Sequence, residues 1–193
     1  CRSEEASAGE LQNWLNTHGH PLSLQDRCLM TQAILSTIPA QDTVTGDIFQ
    51  PNLKVDSHPV VRCLALADMG GPGMEGGKIF LEADTRRFME FHPRLLDILC
   101  AITRRSQLSN EIEALYLQEI RQWLSAQDAF ARGRKRLFEF ELGNLSAEQK
   151  AEGRKLFCRF DESIEAASRA LNMSQHQNLW QWAAAQGYPV PPD

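Results

Sequence analysis

The sequence predicts an all-α fold, and three observations predict it. Apolar residues recur at spacings of three and four in one segment after another, as in Leu11, Trp14 and Leu15 or Ile112, Leu115, Tyr116 and Ile120. Capping residues and Gly/Pro breakers bound these segments at helical lengths. No stretch shows the sustained apolar–polar alternation of a half-buried strand. The expected architecture is one irregular multi-helix domain over residues 1–193, with a helical core over 3–105 and a C-terminal antiparallel helical hairpin and final helix over 109–186.

Ser3 is a good N-cap, and Glu4 and Glu5 complement the helix dipole in the first turn of a helix over about 4–17. Thr17-His18-Gly19-His20-Pro21 breaks it. Ser23 caps a second helix that carries Leu24, Cys28, Ala33, Ile34, Leu35 and Ile38 and stops before Pro39. Residues 40–57, with Gly46, Pro51 and scattered Asp and Thr, form a polar connection too long to be idle in a compact domain. Asp56 or Ser57 opens a third helix, with Pro59 in its first turn. Val60, Val61, Cys63, Leu64, Ala65, Leu66 and Ala67 are apolar nearly all round, which predicts burial on most sides. Gly70-Gly71-Pro72-Gly73 ends it in a tight turn. This turn lacks the Lys and Ser/Thr of a phosphate-cradling P-loop and follows a helix.

Beyond Gly76-Gly77, the apolar sets Ile79–Leu81, Phe88–Phe91 and Leu95–Leu99 read as two helices divided near Pro93, with a short strand at 79–81 as the alternative. Ser109 opens a long helix that Gly133 weakens and Gly143 ends. Ser146 with Gln149 is a capping box. The next helix carries Phe157, Phe160, Ile164, Ala167 and Leu171, the seam of the hairpin. A last helix over 175–186 adds Leu179, Trp180 and Trp182.

Hydrophobic residues at 42% and charged residues at 23% are ordinary globular values and argue against disorder. No apolar run approaches the roughly 18 residues of a membrane span. A net charge of -5 argues against nucleic acid as a partner. Five widely spaced cysteines without a CxxC pair predict free, mostly buried thiols and a cytoplasmic, soluble protein. The chain begins with Cys1 and continues into an acidic, polar helix with no further membrane signal. This reads as a fragment cut from a longer chain rather than a lipoprotein start.

Ser3-Glu4-Glu5-Ala6-Ser7-Ala8 and Leu64-Ala65-Leu66-Ala67-Asp68-Met69-Gly70 together resemble segments of the HD-domain superfamily of metal-dependent phosphohydrolases, and Thr85-Arg86-Arg87-Phe88-Met89-Glu90-Phe91 resembles a helix that follows them. The resemblance lies in short blocks over residues 3–91. It implies an HD-like helical core and a divalent metal, Mn, Fe, Mg or Zn, with Asp68 as one ligand and Glu4 and Glu5 near the mouth of the site. It also implies a nucleotide or other small phosphate ester as substrate. The family takes its name from adjacent His and Asp ligands, and the chain has no His-Asp dipeptide. The missing ligands therefore belong upstream of Cys1, or the chain is a relative that has lost the metal. A site that activates water needs several ligands and an open position, which one carboxylate does not supply.

Asp68 ends an apolar helix, where the dipole disfavours a negative charge; it is either a metal ligand or a cap on the glycine turn. Arg132, Arg134, Lys135 and Arg136 form the one dense basic run, which Arg154, Lys155 and Arg159 extend if the last helices pair. It is either a phosphate grip or a solvated face balanced by Glu139, Glu141 and Glu148. His18 and His20 read as turn residues, and His58 and His92, each before a proline, as helix-boundary residues. Two functions follow: an HD-like phosphohydrolase, or a non-catalytic helical binding or assembly module that pairs into homo-oligomers through its C-terminal helices.

Overall fold

A computed structural model describes residues 3–18, 21–67, 69–102, 104–143 and 145–192, the side chains of Ser3 and Ser106 excepted. The fold is all-α: the described residues form nine α-helices and a single two-strand ladder. The chain divides into two compact units, one formed by Cys1–Gly70 with Arg132–Lys155 and the other by Gly71–Ala131 with Leu156–Asp193.

In the first unit, α1 (Ser3–Thr17), α2 (Leu24–Leu35) and α3 (Pro59–Ala67) pack in sequence, α1 on α2 and α2 on α3. Ser23 caps α2, its Oγ accepting from the Asp26 N–H at 3.1 Å. Leu15, Ala33, Ile38, Val61, Ala65 and Met69 make the core. Burial of α3 on most sides is not what forms. Val61 and Ala65, one turn apart, point inward, while Val60, Cys63 and Leu64 are exposed. Nor does Trp14 join the core with Leu15; half exposed, it stacks on His18 with ring centroids 4.8 Å apart.

The connection after α2 is folded. β1 (Ala40–Gln41) pairs antiparallel with β2 (Ile48–Phe49), Ala40 opposite Phe49 and Gln41 opposite Ile48. Asp42 closes the turn: its Oδ1 accepts from the N–H groups of Val44 (2.7 Å) and Thr45 (2.9 Å). These bonds, that from Thr45 first, hold its carboxyl below the usual carboxylate range. The hairpin rests on α6 (Asn110–Leu142) at Gly133, where a Cβ would lie 1.7 Å from the Ile48 carbonyl oxygen. Gly133 therefore leaves the helix unbroken and lets a strand against it. On α7 (Ala147–Leu156), Gly153 likewise admits Leu142 and Phe138.

In the second unit, a π-helical turn over Gly71–Glu75 leads into α4 (Gly77–Phe91), so no strand forms at 79–81. α5 (Pro93–Ala101) follows, with His92 ending α4 and starting α5. The helix expected from Ser146 through Leu171 is two helices, α7 and then α8 (Phe160–Ser174). Their break has a tertiary cause. The Arg159 N–H donates to the Gly73 carbonyl at 2.9 Å, and Phe157 and Phe160 close over Gly73, where a Cβ would lie 2.8 Å from each. The Ser163 hydroxyl donates to the Pro72 carbonyl at 2.8 Å. α8 runs antiparallel to the first part of α6: Ser168 donates to Asp128 at 2.6 Å, and further along Arg121 donates to the Ser174 carbonyl at 2.9 Å. Phe88, Leu95, Leu99, Ile120, Leu124 and, around α9 (Leu179–Ala185), Leu179, Trp180 and Trp182 form the core.

The four described cysteines are free, as expected, but exposed rather than buried: Cys28, Cys63 and Cys100 sit on outward helix faces and Cys158 in the α7–α8 turn.

Candidate ligand-binding cleft

α1, α2 and the segment that leads into α3 enclose a cleft of about 810 Å3 within the first unit. Small-molecule sites run from about 300 to 1,000 Å3, so the cleft is of ligand size. Its floor is tied together by polar bonds. Gln12 on α1 donates to Thr31 Oγ1 on α2 at 2.7 Å, and Asn52 donates to the Leu35 carbonyl at 2.9 Å. The second bond adds to the one that the Leu35 carbonyl accepts from the Ile38 N–H at 3.4 Å just beyond α2, and it fixes the start of the 52–58 segment. The Lys54 N–H donates to Ser57 Oγ at 2.9 Å, which holds that segment in a turn.

Three cationic or potentially cationic side chains line the cleft, against one carboxylate, Asp56. Arg27 is half buried and oriented by Asn16, whose Oδ1 accepts from Nη1 at 2.7 Å. Lys54 is exposed. The His58 Nδ1 accepts from the Val60 N–H at 3.2 Å. A neutral His58 therefore carries its proton on Nε2, as a donor. Arg27, Lys54 and His58 thus offer a set of N–H donors with a positive balance, beside neutral groups on Gln12, Thr31, Gln32 and Asn52. Such a set suits an anion that carries a polar body.

The residues singled out from sequence are distributed otherwise. Asp68 and His20 lie outside the described residues; on either side of Asp68, Ala65 and Met69 are buried. Glu4 is half buried and Glu5 exposed, and neither lines the cleft. The basic run on α6 does not make one patch, because successive residues step around the helix. Arg134 is buried at 1% exposure, Lys135 is half buried, Arg132 is exposed, and Arg136 pairs with the buried carboxylate of Asp47. Arg154 pairs with Glu139 at 3.4 Å, and Arg159 belongs to the second unit, where it meets Glu162. Sequence reasoning missed Arg27, Lys54 and His58 as a set. The only local signal was isolated basic residues, and only folding brings positions 27, 54 and 58 to one cleft.

A second unforeseen group is Asp84, 4% exposed on the stripe Gly77, Phe80, Asp84, Phe88 of α4. Burial pushes its carboxyl up to about 7, against the opposing charge of Arg87.

Among the described residues, no three His, Cys, Asp or Glu side chains converge to hold a metal ion. Among the described residues, no helix is long and apolar enough to cross a membrane. No protein family, curated protein or solved structure matches the chain.

Proposed function

We propose that this chain is a helical binding module for a small phosphorylated ligand, with an HD-like ancestry carried by residues 3–91. The observation that supports binding is the cleft itself, where Arg27, Lys54 and His58 present N–H donors to one space of about 810 Å3. A phosphate monoester places its oxygens against Arg27 and Lys54, and the Nε2–H of His58 adds a further donor. Gln12, Gln32 and Asn52 serve hydroxyl groups on the ester body. The test is calorimetric titration with inorganic phosphate and with glycerol phosphate. Saturable binding that weakens steeply with salt supports the reading; no heat at millimolar ligand overturns it.

A second reading, hydrolysis of the same esters by an HD-like metal centre, rests on Leu64–Gly70 and its Asp68. Metal-loaded protein then releases phosphate from such esters, and Asp68→Ala abolishes the release while helical content is retained. Unchanged turnover in that variant removes Asp68 from the chemistry.

A further inference from the structure

A pocket of about 240 Å3 opens within the second unit, between one face of α4 and the C-terminal turns of α8 and α9. Lys78, Leu81, Glu82 and Thr85 of α4 line it, at the i, i+3, i+4, i+7 spacing of a single helix face. Its walls are fixed near the start of α4. A Cβ on Gly77 would lie 2.5 Å from the Ala166 Cβ of α8, and the Gly77 N–H donates to Glu162 Oε1 at 3.3 Å. One turn beyond Ala166, α8 carries Ala170, and α9 carries Ala185 near its end, so two methyl groups stand where larger side chains would close the space.

The rest of the apolar lining is Leu81, Leu124, Met173 and Trp182. Leu124 and Trp182 are buried, whereas Met173 is exposed. The two charged residues, Lys78 and Glu82, pair with each other at 3.8 Å, so the lining offers no net charge. Three neutral polar residues complete it, Thr85, Gln177 and Gln186. None of the three is buried, and none of their side chains is tied by a hydrogen bond to a described residue.

We propose that this pocket binds a small uncharged amphiphile, a molecule with a compact apolar body and one hydroxyl group. An apolar cavity of about 150 Å3 holds benzene, so a single substituted ring is of the right size. A hydroxyl both donates and accepts, and the Thr85 hydroxyl and the amides of Gln177 and Gln186 are able to meet it in either role. A charged head is disfavoured, because it gives up water with only an already paired Lys78 or Glu82 to replace it. The preference is opposite in kind to that of the α1–α2 cleft, where cationic groups gather.

The test uses the full chain labelled with 15N and titrated with benzyl alcohol and, separately, with benzoate, which keeps the ring and carries a carboxylate in place of the hydroxyl-bearing carbon. Saturable shifts with benzyl alcohol are expected in amides of residues 78–85, 170–177 and 182–186, with an affinity for benzoate about tenfold weaker. Met173→Ala removes part of the apolar wall and Ala185→Leu fills part of the space; each weakens benzyl alcohol binding by about tenfold. Both positions are exposed, so these variants keep the fold. Absence of saturable shifts at those amides at millimolar benzyl alcohol overturns the assignment, as does equal affinity for benzoate or an unchanged affinity in either variant. Benzyl alcohol has no phosphate and every residue lining the pocket belongs to the second unit, so failure here and failure of the cleft reading are distinguishable.

Discussion

Asp47 in the first unit and Asp84 in the second are buried to nearly the same degree, at 5% and 4% exposure, and the structure deals with their charge in opposite ways. Asp47 stands at the end of a turn and meets Arg136, a residue from a different element, so its charge joins the hairpin to α6. Asp84 stands mid-helix between Phe80 and Phe88. Its partner among the described residues, Arg87 at 3.1 Å, is a neighbour on the same helix with its side chain 58% exposed. Its Oδ2 has no hydrogen-bond partner among the described residues. A buried carboxylate with a long-range partner organises a fold, whereas one whose local partner stays in water is held neutral instead.

The largest expected effect breaks the first region. In an ordinary helix interior, Gly→Ala stabilises by about 1 kcal/mol. Gly133→Ala instead drives a methyl group into the Ile48 carbonyl, a backbone atom that cannot rotate away. A loss of several kcal/mol in urea unfolding is expected, on the scale of severe overpacking.

The next effect sharpens the second region. The Asp84 carboxyl ordinarily titrates at 3.8 and in the fold is held protonated up to about 7. The contribution of Asp84 to stability is fully present below about pH 4, is lost as pH rises toward 7, and is absent above that. Asp84→Asn should raise stability near pH 8 by on the order of 3 kcal/mol, with the gain shrinking as pH falls to about 4. Thermal unfolding at the two pH values checks the sign; a variant less stable than the parent near pH 8 contradicts it.

A smaller loss follows from Arg136→Ala, which leaves Asp47 buried without its cation. Because the Arg136 side chain is 61% exposed, the expected cost is about 1–2 kcal/mol rather than the full penalty of a buried pair. Adding Asp47→Asn should recover part of it in a double-mutant cycle. The smallest effect is that of Asp42→Ala. Its two bonds to the turn amides favour the ionised form, so their contribution is present above the ordinary titration of the carboxyl and is lost as pH falls through its lowered value. A slight drop in melting temperature at neutral pH, absent in strong acid, is the expected result.

The helices were legible in the sequence because each carries its own period and punctuation: Ser23 before α2, Pro93 between α4 and α5, Gly143 after α6. What escaped was set by contacts distant in sequence. Two-residue strands leave no alternation to read, so β1 and β2 passed for loop. The α7–α8 break falls at Phe157-Cys158-Arg159, which contains no helix breaker, and is made by packing against Gly73. Asp84 was legible in principle, since positions 77, 80, 84 and 88 share one helix face. The cleft was not, because nothing local relates Gln12 to Arg27 or either to His58.

The central claim is that the α1–α2 cleft binds a phosphorylated ligand through Arg27 and Lys54. The most direct measurement is calorimetric titration of glycerol phosphate into the parent chain and into Arg27→Gln/Lys54→Gln. Both side chains reach solvent at the cleft, so the variant should fold as the parent does. The account predicts saturable binding to the parent and a loss of about tenfold in affinity for each charge removed. Equal affinity in parent and double variant would contradict it.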